Sequence, residues 1–168
     1  MGSHAYWYFV PYQPDLEAAL HALRWREFKA GRYSPAMPDI QDLFPLGPHS
    51  PKPGPKHANI FEAQEAAEEC GTGSILDITS IGTAARKPRD RSLRGQEDTL
   101  AHLYTATVAA PVAEEDLLRY FGTTQPTRKQ VEGTQDYFEL LYRGQALYIV
   151  VFDEGEPAQI FFAGRSFD

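Results

Sequence analysis

Cysteine is almost absent from this chain of 168 residues, and long apolar runs are missing altogether. The single cysteine, Cys70, excludes an internal disulfide and a cysteine-rich zinc site. No apolar run approaches the ~20 residues that span a bilayer, and no basic start followed by an apolar stretch marks a secretory leader. The sequence therefore predicts a cytoplasmic protein without a membrane partner. Its excess of arginine over lysine and its near lack of asparagine favour a bacterial source.

Positive charge is scarce as well. The chain has 16 Lys and Arg against 23 Asp and Glu, a formal net charge of -7 at pH 7. Affinity for nucleic acid comes from neutralising phosphates, so we expect no nucleic-acid partner. No serine elbow, glycine-rich phosphate loop or His-Glu-x-x-His pair is present, and His49 and His57 lack ligand spacing with the glutamates that follow. The sequence thus predicts neither a cofactor nor a metal.

The most apolar segments lie at the two ends of the chain. Residues 5–12 form a predicted strand, and residues 146–163 form a predicted hairpin that turns at residues 153–157. Tyr6 and Tyr8 alternate along the first strand with Trp7 and Phe9, so the strand should be central or covered on both faces. Because termini are frayed unless they join a sheet, we expect residues 1–168 to be one domain.

Capping and turn residues divide the chain between these ends. Helices are predicted at residues 16–30, 61–70 and 111–121, and from Thr124 or Thr127 to about residue 143 with Gly133 inside. Strands are predicted at residues 74–79 and 100–109. A proline-rich irregular segment covers residues 32–57, and a basic polar loop covers residues 82–98. The fold class is therefore α+β, with a mixed or antiparallel sheet of four to five strands, about four helices and a C-terminal β-hairpin.

One carboxylate interrupts the apolar stripe of the first predicted helix. Glu27 falls on the same stripe as Leu20 and Leu23, where burial raises a carboxyl pKa unless a cation is close. Perturbed carboxylates in clefts often carry acid–base chemistry, whereas a carboxylate at the domain edge simply bends into water. If a pocket lies between the first strand and the first helix, we expect five residues to bind its ligand: Tyr6, Tyr8, Arg24, Glu27 and Tyr148.

Basic side chains cluster in the loop at residues 82–98. Five of them fall within nine residues: Arg86, Lys87, Arg89, Arg91 and Arg94. On an acidic protein such a cluster could hold a phosphate or an acidic partner, and the alternative is a solvated loop.

The leading hypothesis is a non-catalytic protein-binding domain of the immunity or adaptor kind. It rests on the acidic charge, the lack of an assembled catalytic motif and the two long irregular segments. The alternative is a small enzyme or small-ligand binder in which Glu27 is the acid or base. A third hypothesis is a structural protein, whose closing hairpin pairs edge to edge with a second copy in a homodimer.

Overall fold

The computed structural model describes residues 3–37, 47–85 and 106–167, apart from the Glu69 side chain. The strands in these ranges are β1 (Ala5–Pro11), β2 (Ser80–Ile81), β3 (Val108–Pro111), β4 (Ala146–Asp153) and β5 (Glu156–Arg165). The α-helices are α1 (Leu16–Ala30), α2 (Ile60–Ala66), α3 (Glu114–Phe121) and α4 (Arg128–Glu132). Short 3₁₀ turns are formed by Glu68–Cys70, Ile75–Asp77 and Asp136–Leu140.

The strands form one mixed sheet in the order β1-β5-β4-β3-β2. β5 runs antiparallel to both β1 and β4, whereas β3 runs parallel to β2 and β4. The closing hairpin has a two-residue turn in which Glu154 (φ 49°) and Gly155 (φ 85°) both have positive φ, as a tight hairpin requires. This architecture confirms the predicted α+β class, the mixed sheet and the C-terminal hairpin.

β1 lies at the edge of the sheet and is covered on both faces. Tyr6 and Tyr8 belong to one core, and Trp7 and Phe9 pack against the other. The two faces explain why neither side of this strand is polar. The closing hairpin, in contrast, lies inside the sheet, because β1 pairs with β5 and β3 pairs with the first half of β4. The free hairpin edge assumed for self-association is therefore absent along β5.

The sheet separates two apolar cores. α1, α2 and the 3₁₀ turn Ile75–Asp77 cover one face, and α3, α4 and the 3₁₀ turn Asp136–Leu140 cover the other. The face covered by α1 and α2 carries the polar groups that concern function.

α1 begins and ends where the sequence predicts. The Asp15 side chain caps the helix by accepting a hydrogen bond from the Ala18 amide at 2.9 Å. Gly31 ends it in the left-handed conformation (φ 70°). A Cβ at Gly31 would lie 2.1 Å from the carbonyl oxygen of Gly54, so both backbone conformation and space require glycine there.

Several predicted elements are wrong in type or extent. The helix predicted at residues 61–70 ends at Ala66 and is followed by the 3₁₀ turn Glu68–Cys70. Residues 74–79 do not form a strand, because the Ser74 hydroxyl accepts a hydrogen bond from the Leu76 amide and starts the 3₁₀ turn Ile75–Asp77. Pro111 belongs to β3, so the next helix starts at Glu114.

The helix predicted to reach residue 143 ends at Glu132, with Gly133 as its C-cap. Thr127 caps it through a capping box with Gln130, as one of the two alternatives predicted. The Thr134 hydroxyl then accepts a hydrogen bond from the Asp136 amide, which diverts the chain into the 3₁₀ turn Asp136–Leu140. The predicted strand at residues 100–109 corresponds to β3 only from Val108 on, and residues 100–105 lie outside the described residues.

Candidate functional site

Glu27 lies wholly inside the protein, in an ion pair. Arg32 donates from Nε and Nη2 to the two carboxylate oxygens, at 2.6 Å each, and Arg26 Nε donates to Oε1 at 2.8 Å. Glu27 is 0% exposed and Arg32 is 2% exposed. The left-handed turn at Gly31 returns the chain toward α1 and places Arg32 beside the carboxylate. Glu27 therefore does not bend into water, and its charge is matched inside the fold.

The predicted tyrosines lie on the same face of the sheet as this ion pair. Tyr6 and Tyr8 are each 1% exposed, and burial raises the pKa of both, helped by the charges of Asp77 and Glu27 respectively. Among the described residues, no hydrogen-bond partner contacts the Tyr6 hydroxyl, and the backbone of Ile75 is the polar group beside the Tyr8 hydroxyl.

Tyr148 extends the row of tyrosines across the sheet. It is half-buried, and both Tyr8 and Tyr148 pair in register with Phe162 on β5. The fold thus brings the five predicted ligand-binding residues to one side of the sheet. The layer between β1 and α1 is filled by core side chains, among them Leu20 and Leu23, which are at most 1% exposed.

Arg24 leads from this cluster to a carboxylate that the sequence analysis missed. Arg24 Nη2 donates to the Leu76 carbonyl at 3.1 Å, next to Asp77. Burial lowers the pKa of Arg24, and the negative charge of Asp77 opposes that shift. Arg24 therefore helps to fix the turn that carries Asp77.

Asp77 is 5% exposed and is held by backbone amides. The Thr72 amide donates to both carboxylate oxygens at 2.9 Å. Burial raises the pKa of Asp77 to about 6, against the lowering effects of the Thr72 and Gly73 hydrogen bonds and the charge of Arg24. The run Gly71-Thr-Gly-Ser74 precedes this residue. It is typical of a turn, and it was the signal that could have placed Asp77 on a loop.

A cavity of about 230 Å³ opens beside Asp77. It is lined by Gln64, Glu68, Gly71, Asp77, Thr107 and Phe167. None of these lining residues is basic. Glu68 (φ 51°) and Thr107 (φ 66°) both have left-handed backbones, a conformation that is uncommon for any residue but glycine and rarest for a β-branched one. A Cβ at Gly71 would lie 2.7 Å from the Phe167 ring and 2.8 Å from the Asp77 carboxylate, so glycine is required at this wall.

The cavity adjoins an exposed acidic and apolar surface of α2. We define the α2 face as Phe61, Gln64 and Glu65, which are spaced for one side of α2, together with Glu68 of the 3₁₀ turn that follows the helix. Phe61 is 67% exposed, Glu65 and Glu68 are exposed, and Gln64 and Glu68 also line the cavity. Gln64 Nε2 donates to the Leu76 carbonyl at 2.8 Å, so α1 and α2 meet at the carbonyl that Arg24 also contacts.

A ladder of rings anchors the end of the proline-rich segment to α1. The ring centroids of Trp25 and Phe28 lie 5.4 Å apart, those of Phe28 and Tyr33 lie 5.7 Å apart, and those of Tyr33 and His57 lie 5.7 Å apart. The Tyr33 hydroxyl and His57 Nδ1 share a hydrogen bond of 2.9 Å. Residues 54–57 are therefore fixed against the domain.

The basic cluster at residues 86–94 lies outside the described residues. In the part of the chain that the structure describes, no three His, Cys, Asp or Glu side chains are placed to hold a metal ion, and no helix is long and apolar enough to cross a membrane. No family model, curated protein or solved structure matches the chain.

Proposed function

We propose that this chain is a non-catalytic protein-binding domain of the immunity or adaptor kind, and that the α2 face binds a basic partner. The observation that carries the proposal is Phe61, a large apolar side chain 67% exposed among acidic residues. An aromatic anchor within a polar rim is the usual composition of a protein interface.

The charge of this region supports a basic partner. From Ala58 to Ala85 the sequence contains no Lys or Arg, while Glu65 and Glu68 of the α2 face are exposed. A surface of one sign steers and selects partners of the opposite sign.

The buried ion pair supports the non-catalytic part of the proposal. A general acid or base has to come within hydrogen-bonding distance of its substrate. Glu27 is 0% exposed, and both of its oxygens accept hydrogen bonds from arginine. Its geometry is that of a structural ion pair.

Affinity capture from a bacterial lysate with matched variants tests this proposal. Phe61→Ser removes the anchor, and Leu118→Ser is the control, because Leu118 is 52% exposed on α3 at the opposite face of the sheet. We expect the wild type and Leu118→Ser to recover the same protein, and Phe61→Ser to bind it at least about tenfold more weakly. Binding should also weaken as salt is raised. Equal affinity of Phe61→Ser and wild type would contradict the proposal.

A further inference from the structure

We propose that the cavity beside α2 is a guanidinium site that receives an arginine side chain of the basic partner. The source of the arginine rests on the proposed function, whereas the site itself rests on the geometry of the cavity.

A preorganised carboxylate forms one wall. Asp77 is 5% exposed, and the two hydrogen bonds from the Thr72 amide fix the orientation of its oxygens. Gly71 lies so close to this carboxylate that any larger residue would displace it. A carboxylate held in one orientation binds a planar guanidinium through paired hydrogen bonds with little further loss of freedom.

An aromatic ring forms a second wall. Phe167 is held tightly, because a Cβ at Gly71 or at Gly144 would lie within 2.7 Å and 2.3 Å of its ring, respectively. Guanidinium groups stack on aromatic faces and gain a cation–π attraction there. The cavity thus places a carboxylate and an aromatic ring side by side.

The remaining lining offers hydrogen-bond acceptors. Gln64 Nε2 donates to the Leu76 carbonyl, which leaves the Gln64 amide oxygen to accept. Glu68 adds an exposed carboxylate. A guanidinium supplies five N–H donors, whereas an ammonium supplies three from one point.

The volume and the charge balance fit the same ligand. About 230 Å³ is several times the ~30 Å³ that a water molecule occupies in the liquid, so a group of several heavy atoms can enter. Arg24 opposes the charge of Asp77, but its Nη2 is used by the Leu76 carbonyl and it does not line the cavity. A cation that enters beside Asp77 therefore meets a carboxylate that no lining residue among the described ranges neutralises.

Calorimetric titration of the full chain with blocked amino acids tests the site. Acetyl-arginine amide should bind at least tenfold more tightly than acetyl-citrulline amide, which has the same shape without the charge, and more tightly than acetyl-lysine amide. The proposal would be overturned if acetyl-citrulline amide or acetyl-lysine amide bound as tightly as acetyl-arginine amide. It would also be overturned if acetyl-arginine amide did not bind at millimolar concentration. If free arginine bound more tightly than acetyl-arginine amide, the part of the proposal that assigns the arginine to a partner protein would be overturned.

Variants tie the binding to the two walls. Asp77→Asn should lower the affinity for acetyl-arginine amide at least tenfold, and Phe167→Leu should reduce the preference for arginine over lysine. Leu118→Ser is the control that should titrate like the wild type. Melting curves establish that each variant is folded, and unchanged binding by a folded Asp77→Asn chain would overturn the site. Because the titration needs no partner, its failure is distinguishable from failure of the capture experiment.

Discussion

Glu27 and Arg32 show how a residue that resembles a catalytic group can serve the fold. Glu27 lies on the apolar stripe of α1 and Arg32 follows the end of that helix, and each side chain is at most 2% exposed. Two charges buried together are tolerated because each satisfies the other, and removing one leaves the other unpaired. Substitution of either residue is therefore expected to lower the stability of the fold.

Glu27→Gln should destabilise the protein by about 3 kcal/mol, because Arg32 would remain buried without its counter-charge. The matched control is Glu132→Gln, which breaks a surface pair with Arg128 in which both side chains are about half exposed. That change should cost at most about 0.5 kcal/mol. Urea unfolding of both variants provides the measurement. A Glu27→Gln chain as stable as the wild type would contradict the structural role.

Asp77 should make stability fall as pH rises between about 4 and 6. Its pKa is about 6 in the folded protein and about 3.9 in an unfolded chain. The folded state therefore holds the proton more tightly, so this contribution is complete below pH 4 and is lost as pH rises through 6. The loss is about 3 kcal/mol.

The comparison of wild type with Asp77→Asn isolates this effect from the other titrating groups. The groups around Asp77 are Arg24 from α1, Tyr6 from β1 and Glu68 across the cavity, and they remain in both proteins. The difference in unfolding free energy, wild type minus variant, should decrease from pH 4 to pH 6.5 and then level off. A difference that is constant or increases over that range would refute the assignment.

At the scale of elements, capping residues predicted the structure better than β-propensity did. Asp15 and Gly31 fix both ends of α1, and each acts through atoms within a few residues of itself. The apolar residues after Ser74 resemble a strand, yet a local hydroxyl contact and two glycines with positive φ, Gly71 and Gly73, make a turn instead. Asp77 was not predicted as a site residue for this reason. Its burial depends on a turn, and the apolar residues around it predict a strand.

The variants Gly31→Ala and Gly122→Ala test whether a close backbone contact adds to the cost of replacing a glycine at a helix end. Both glycines are left-handed caps, at φ 70° and 73°, but only Gly31 lies against another backbone segment, at Gly54. Gly122→Ala should cost about 1 kcal/mol, the penalty of the backbone conformation alone. Gly31→Ala should cost clearly more because it also displaces residue 54. Thermal unfolding would show this difference, and equal losses would contradict the close approach.

For the molecule as a whole, the sequence predicts the class of fold but not the arrangement of the site. Alternating apolar residues revealed that both faces of β1 are covered, because that property is local to the strand. The sequence did not predict that Arg32 pairs with Glu27, because Arg32 approaches Glu27 only after the chain reverses at Gly31. The cavity could not be predicted from the sequence either, because its lining residues come from α2, the turn at Asp77 and the stretch after β5.

The order of the strands has a consequence for how the chain acquires its structure. Ala5 pairs with Arg165, so the first strand of the sheet binds the last one, and the hairpin β4–β5 enters between β1 and β3. On the ribosome, β1 and the apolar side of α1 therefore remain without their neighbours until β5 has emerged. Contacts between residues so distant along the chain slow folding, and an apolar strand that is exposed in the interval is prone to aggregation.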